Sequence, residues 1–213
     1  MNRIFQATVY DKLIALAGML YGFPTRSHMY RMHSLAVFPG YVDRVVEEAA
    51  ALFVQHERLQ RFFVNGGVEQ SVPFYIPLTD ERLRDAPFRV PRNRQIITQV
   101  FAKHTKDQTD WLADRLIEHN ETSVAVVVYP FHLLRAFSTL VRSLEERNRL
   151  DILVFPVVAQ ISPEDPFVEL QADGWTLMPG EIRRILEYRK QNGVASFETM
   201  QKYLHSLWGY IQS

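Results

Sequence analysis

The chain has no cysteine among its 213 residues. Disulfides, thiolate metal sites and cysteine nucleophiles are therefore excluded, and the absence fits a reducing, cytoplasmic compartment. Net charge is lacking too. The 24 Lys and Arg balance the 24 Asp and Glu, so no global field holds nucleic acid or an acidic membrane, and any anion must be bound locally. No long apolar run occurs. The longest near the start, Leu13 to Phe23, is about half of what a membrane helix needs and follows Asp11 and Lys12. Arg3 and this stretch imitate a signal peptide loosely; the simpler reading is an amphipathic helix from Ile4 to Leu20 that docks Ile4, Val9, Leu13, Leu16 and Leu20. Familiar chemical signatures are missing as well: there is no G-x-G-x-x-G, Walker loop, G-x-S-x-G elbow or H-E-x-x-H. His104, Asp107 and His132 have no metal-ligand spacing, so no metal is expected.

What is present is alternation. Short β-rich runs occur at Leu35 to Phe38, Arg61 to Val64, Gln95 to Phe101, Ser123 to Tyr129 and Asp151 to Val158. Between them lie helical stripes: Val42, Val45, Val46, Ala49 and Phe53, then Leu112, Leu116 and Ile117, then Leu133, Phe137, Leu140, Val141 and Leu144. Strand and helix in turn predict an α/β, Rossmann-like three-layer sandwich with a mostly parallel sheet of about five strands. The stretch from Val68 to Arg94 carries four prolines and predicts a long loop with a short helix near Thr79 to Arg84. A second break, Ser162 to Pro179, precedes two C-terminal helices, Gly180 to Gln191 and Phe197 to Tyr210, with Gly193 as a stop and Ser196 as an N-cap. A single domain spanning 1–213 is expected, with its core at about 33–160 and a helical extension at about 180–210.

In such a sheet, ligands bind beyond the carboxyl ends of the strands, so the residues that follow each strand are the candidates. Gly40 follows the first. Asn65, Gly66 and Gly67 follow the second, and the glycines suit close backbone approach to a ligand as well as a tight turn. After the third comes Thr105-Lys106-Asp107-Gln108, a capping-box pattern with Thr105 as N-cap and Gln108 as its partner. Seven Lys and Arg stand between Arg82 and Lys106 against one acid, Asp85, which suits an anion site or a solvated basic face. After the fourth strand, His132 and Arg135 share a helix face with Ala136 and Thr139, opposite the apolar stripe. That face reads as polar at its mouth, with His132 biased toward the neutral imidazole by the helix dipole.

Taken in order, these pieces resemble the YdcF-like family, which has the SanA and ElyC envelope proteins as relatives. The likeness rests on Asn65-Gly66-Gly67, on Thr105-Lys106-Asp107-Gln108 where the family has Thr-x-Glu-Asn, and on His132-Leu133-Leu134-Arg135-Ala136 where it has His-x-x-Arg-Ala. It covers about residues 33–160, with a familiar tail at Glu181-Ile182-Arg183-Arg184-Ile185, Tyr188 and Gly193. The first-strand loop departs from the family, offering only Pro39-Gly40 in place of a glycine-rich turn. The resemblance implies a Rossmann-like fold and a pocket, and leaves the reaction open.

The expectation is a small-molecule-binding protein that takes a nucleotide-like or other anionic ligand, with a nucleotide or S-adenosylmethionine as the cofactor to test. Arg135 would pair with a phosphate or carboxylate, and His132 would exchange a proton. Gly40, Asn65, Gly66, Gly67, Thr105 and Gln108 would line the ligand, and Asp107 would orient a cation or hydroxyl. Two alternatives stand beside it: an interaction module that docks an acidic partner on the basic segment 82–106, and a phosphoester or glycan hydrolase with His132 as general base. No nucleic acid or membrane partner is expected, and the oligomeric state is open.

Overall fold

Five parallel strands form the main sheet, in the order β4-β2-β1-β6-β7, of a computed structural model that describes residues 8–39, 44–68, 77–167 and 171–212. The strands are β1 (Ser34–Val37), β2 (Arg61–Val64), β4 (Gln95–Thr98), β6 (Ser123–Val128) and β7 (Leu153–Val158). A second, two-stranded parallel sheet joins β3 (Gly67–Val68) to β5 (Phe101–Ala102). The central strands are continuous apolar runs because both of their faces are covered, so Leu35, Ala36, Val37, Phe62, Phe63 and Val127 are completely buried.

From β1 the chain crosses to β2 through α3 (Arg44–Gln55), and from β6 it crosses the opposite way to β7 through α6 (Leu133–Glu146). Right-handed crossovers in opposite directions put these two helices on opposite faces of the sheet. The helix α5 (Thr105–Glu118) packs beside α6, and three layers result. The reversal of strand order between β1 and β6 makes their carboxyl ends the expected ligand crevice.

Proline stands inside β7 at Pro156 because β7 is an edge strand. That edge is closed by side chains: the Tyr203 hydroxyl accepts from the Val154 amide at 2.7 Å and donates to the Ile152 carbonyl at 2.6 Å, while Thr25 and Arg26 bond to the Pro156 and Val158 carbonyls. Tyr203 belongs to α8 (Phe197–Gln212), and Thr25 and Arg26 to α2 (Thr25–His28).

Several details correct the expectations. The first helix, α1, is Val9–Tyr21, opened by a Thr8 and Asp11 capping box; Leu13, Leu16 and Leu20 dock it, but Val9 is exposed and Ile4 lies outside the described residues. Val42 and Gly40 also lie outside them. The expected short helix is present as α4 (Asp80–Arg84), capped by Thr79. The helix expected from Gly180 begins earlier, as α7 (Gly174–Lys190), with Pro179 inside it. Asp173 makes this start possible by accepting the Thr176 amide at 2.8 Å. Its stop is not set by Gly193 itself. Asn192 takes the left-handed conformation at φ 55°, and the Gly193 amide then bonds back to the Tyr188 carbonyl at 2.7 Å. Asn120 and Asn148 end α5 and α6 the same way, at φ 53° and 54°, since asparagine tolerates this conformation better than other side chains. Ser196 caps α8 as expected, accepting the Thr199 amide at 3.0 Å.

Candidate functional site

The loop Tyr129 to His132 leaves β6 at its carboxyl end, makes one tight turn through Pro130 and feeds α6. It sets His132 at the start of the helix and Arg135 one turn on. Neither side chain is at an open mouth, which corrects the amphipathic reading: both residues are 8% exposed, Ala136 and Thr139 are buried, and α6 is covered by α5, α7 and the sheet.

The cover supplies the missing partner. Glu181 of α7 is 3% exposed, and its carboxylate accepts from Arg135 Nε at 2.5 Å and Nη2 at 3.0 Å, from Arg184 Nη1 at 2.7 Å and from His132 Nδ1 at 3.2 Å. Arg135 Nη1 donates in turn to the Thr105 hydroxyl at 2.5 Å, and its guanidinium lies 5.6 Å from the centre of the Tyr188 ring. The carboxylate that sequence reasoning sought in a ligand is thus part of the chain.

Burial alone would raise the pKa of Glu181, but the hydrogen bonds from His132 and Arg135 and the guanidinium charge outweigh it and hold the carboxyl well below its usual range. For His132, burial and the neighbouring Arg135 outweigh the pull of Glu181, so the imidazole titrates below its ordinary value. At neutral pH it is therefore uncharged, with its Nδ1 proton given to Glu181. Nε2 makes no hydrogen bond among the described residues, leaving its lone pair as the free basic position of the cluster. Two guanidiniums against one carboxylate leave one excess positive charge.

Thr105 and Gln108 do not form the expected capping box. His104 is the N-cap of α5, its Nδ1 accepting the Asp107 amide at 3.2 Å, and Asp107 accepts the Lys103 amide at 3.1 Å. The frame shifts by one residue because the Thr105 hydroxyl is taken by a buried guanidinium, a stronger donor than a backbone amide. Asp107 is accordingly occupied as a turn-closing residue. Gln108 is buried and donates to the Gly66 carbonyl at 2.6 Å.

The double glycine also has an internal explanation. A Cβ on Gly66 would lie 2.6 Å from the Phe101 backbone, and its amide already donates to Gln99 Oε1 at 3.1 Å. Close approach is needed here, but to β5. Asn65 is fully buried and donates to the Val37 carbonyl at 2.9 Å, while its Oδ1 has no partner. Gly67 enters β3. The structure therefore brings Thr105, His132 and Arg135 together, and it joins Gln108 to Gly66 in a neighbouring contact of its own.

Part of the basic segment is used within the fold. Arg84 pairs with Asp80, Lys106 reaches Asp110 at 2.6 Å and Glu146 at 2.7 Å, and the buried Arg94 caps the carbonyl end of α3 through Phe53 and His56. Charge counted along a sequence misses such pairing.

Beside the cluster, loops after β6 and β7 and the start of α7 enclose an apolar cavity of about 190 Å³. Tyr129, Phe131 and Phe167 pack there with ring centres 5.3 to 5.4 Å apart, and Trp175, 60% exposed, stands among the lining residues. Sequence reading did not find this cavity, and it named Glu181 only within the familiar tail, with no part in the site. Extending the helix expected from Gly180 back to Asp173, a good N-cap residue, would have brought Trp175 and Glu181 onto one element.

Fold and site together define an α/β Rossmann-like protein with a buried Glu-His-Arg cluster at the carboxyl edge of its sheet. No family model, curated protein or solved structure matches the chain. Among the described residues no helix is long and apolar enough to cross a membrane, and no group of metal-ligating side chains occurs.

Proposed function

We propose that this is a small-molecule-binding protein of the YdcF-like kind whose ligand is a nucleotide-like or other ring-bearing anion, held at the carboxyl ends of β6 and β7. The observation that carries this reading is the excess positive charge of Arg135 and Arg184 over Glu181 beside an aromatic cavity. A ring would enter the cavity of Tyr129, Phe131 and Phe167, where stacking and edge contacts favour flat groups. The anionic group would take the N–H groups that the exposed Arg184 leaves unused beyond its bond to Glu181. His132, with Nδ1 fixed by Glu181, would present Nε2 as a proton acceptor, the arrangement a general base requires. Hydrolysis of a bound ester is the chemistry such a base would support.

A thermal-shift screen with nucleotides, sugar nucleotides and S-adenosylmethionine tests this. A true ligand at 100 times its Kd stabilises the fold by about 2.7 kcal/mol, and His132→Gln and Arg184→Ala weaken its binding. If no compound in these classes raises Tm, or if every hit is indifferent to both substitutions, the reading is wrong.

A further inference from the structure

A second apolar cavity, of about 210 Å³, lies between α1 and α7 on the far side of Tyr21. We infer that this groove binds the alkyl chain of an anionic single-chain amphiphile, a long-chain carboxylate being the simplest. Tyr10, Ile14 and Ala17 form one wall at helical spacing, Ile182 and Ile185 form the other, and Leu134 lines it from α6. Tyr10 is 59% exposed and Ile14 71%. Water meets a continuous apolar slot there, not scattered side chains, and such surface marks a binding site.

The lining selects the occupant. Its one charged group, Glu181, already accepts four hydrogen bonds, and the Tyr21 hydroxyl is given to the Pro130 carbonyl. Among the described residues, the exposed Tyr10 hydroxyl is what remains in the lining to read the edge of a base or sugar. An extended peptide would find only helical backbone, whose amides are already paired. An alkyl chain asks for neither. The head group is chosen by α7, where the exposed Arg184 spends one nitrogen on Glu181, which lines the groove. The acid of α1, Asp11, is held by the Thr8 cap. The slot is concave, which suits a chain entering from solution and not a bilayer lying across it.

The groove borders the nucleotide cavity, sharing Tyr21, Phe131 and Met178 with it, and Arg184 enters both readings; the test keeps the two apart through Ala17, which lines the groove and not the cavity. Isothermal titration of the full chain with dodecanoate below its micelle concentration gives saturable binding at one chain per protein, with dodecanol binding more weakly. Ala17→Phe fills the slot and raises the dodecanoate Kd about tenfold, the equivalent of roughly two lost methylene contacts. Ile182→Gln, at a position 37% exposed, does the same should Ala17→Phe fail to fold. Arg184→Gln removes the preference for dodecanoate over dodecanol. The nucleotide response of Ala17→Phe is unchanged whether or not chains bind. Absence of saturable binding, equal affinity for the acid and the alcohol, indifference to both filling and polar variants, or adsorption only to phosphatidylglycerol vesicles overturns the proposal.

Discussion

Replacing Glu181 by leucine tests whether the buried cluster is a connected electrostatic unit. The substitution removes the acceptor of four hydrogen bonds and leaves Arg135, whose side chain is 10% exposed, with only the Thr105 hydroxyl as a hydrogen-bond partner. Removing one partner of a buried ion pair costs about 3–5 kcal/mol, because the remaining charge is stranded away from water. Whole-domain stability is typically about 5–15 kcal/mol, so this loss is a large share of the total and lowers Tm by roughly 10 °C. The pair Arg135→Met with Glu181→Leu recovers part of it, since the stranded guanidinium is gone, while His132 Nδ1 and the Thr105 hydroxyl still lose their partners. Urea unfolding followed by tryptophan fluorescence measures both variants, with unchanged m-values required for the comparison. Glu181→Leu within 1 kcal/mol of the parent, or a double variant no better than the single one, refutes the reasoning.

Because folded His132 titrates below 6.5, the unfolded chain takes up a proton that the folded one refuses; stability therefore falls as pH drops below about 6.5, by up to about 1.4 kcal/mol per unit from this group. Glu181 acts in the same direction at lower pH: its depressed pKa contributes stability that is present above the ordinary carboxylate range and lost on acidification through its folded value. Unfolding curves from pH 7 to 5 for the parent and His132→Gln differ by this slope; parallel curves refute it. Gly66→Ala places a methyl 2.6 Å from backbone and costs about 1–3 kcal/mol, while Gly209→Ala, with nothing within 4 Å in an exposed helical position, stabilises by about 0.5–1 kcal/mol. Equal effects at the two positions in chemical denaturation contradict the close approach of Gly66 to β5.

The strands were legible because a parallel sheet buried on both faces leaves unbroken apolar runs, and Arg61–Val64 begins and ends where the residues say it should. Gln95 to Phe101 was harder. It divides into β4, an edge strand with Gln95 exposed, and β5, which pairs in a separate sheet, and a run of β-forming residues does not record where one strand hands over to another. The adjacency of Thr105 and Arg135 could be anticipated from where strands end. Glu181 could not, for two reasons. Pro179 reads as a break although the Asp173 cap and the turns on either side sustain α7 through it, and one acid next to Arg183 and Arg184 reads as a solvated helix face. Whether a charge faces water or another charge depends on docking. The same holds for Arg94 and for the bond of Lys106 to Glu146, where the partner lies far along the chain.

That Glu181 sits on α7 ties the finished site to the order in which the polypeptide is made. The sheet is fully encoded by Val158, more than twenty residues before the acid that answers Arg135 emerges. Until α7 docks, Arg135 lacks the carboxylate that pairs with it. Closure of this region is thus set by the tail of the chain, and a protein cut before Gly174 would retain every strand and still lack a settled interior at its carboxyl edge.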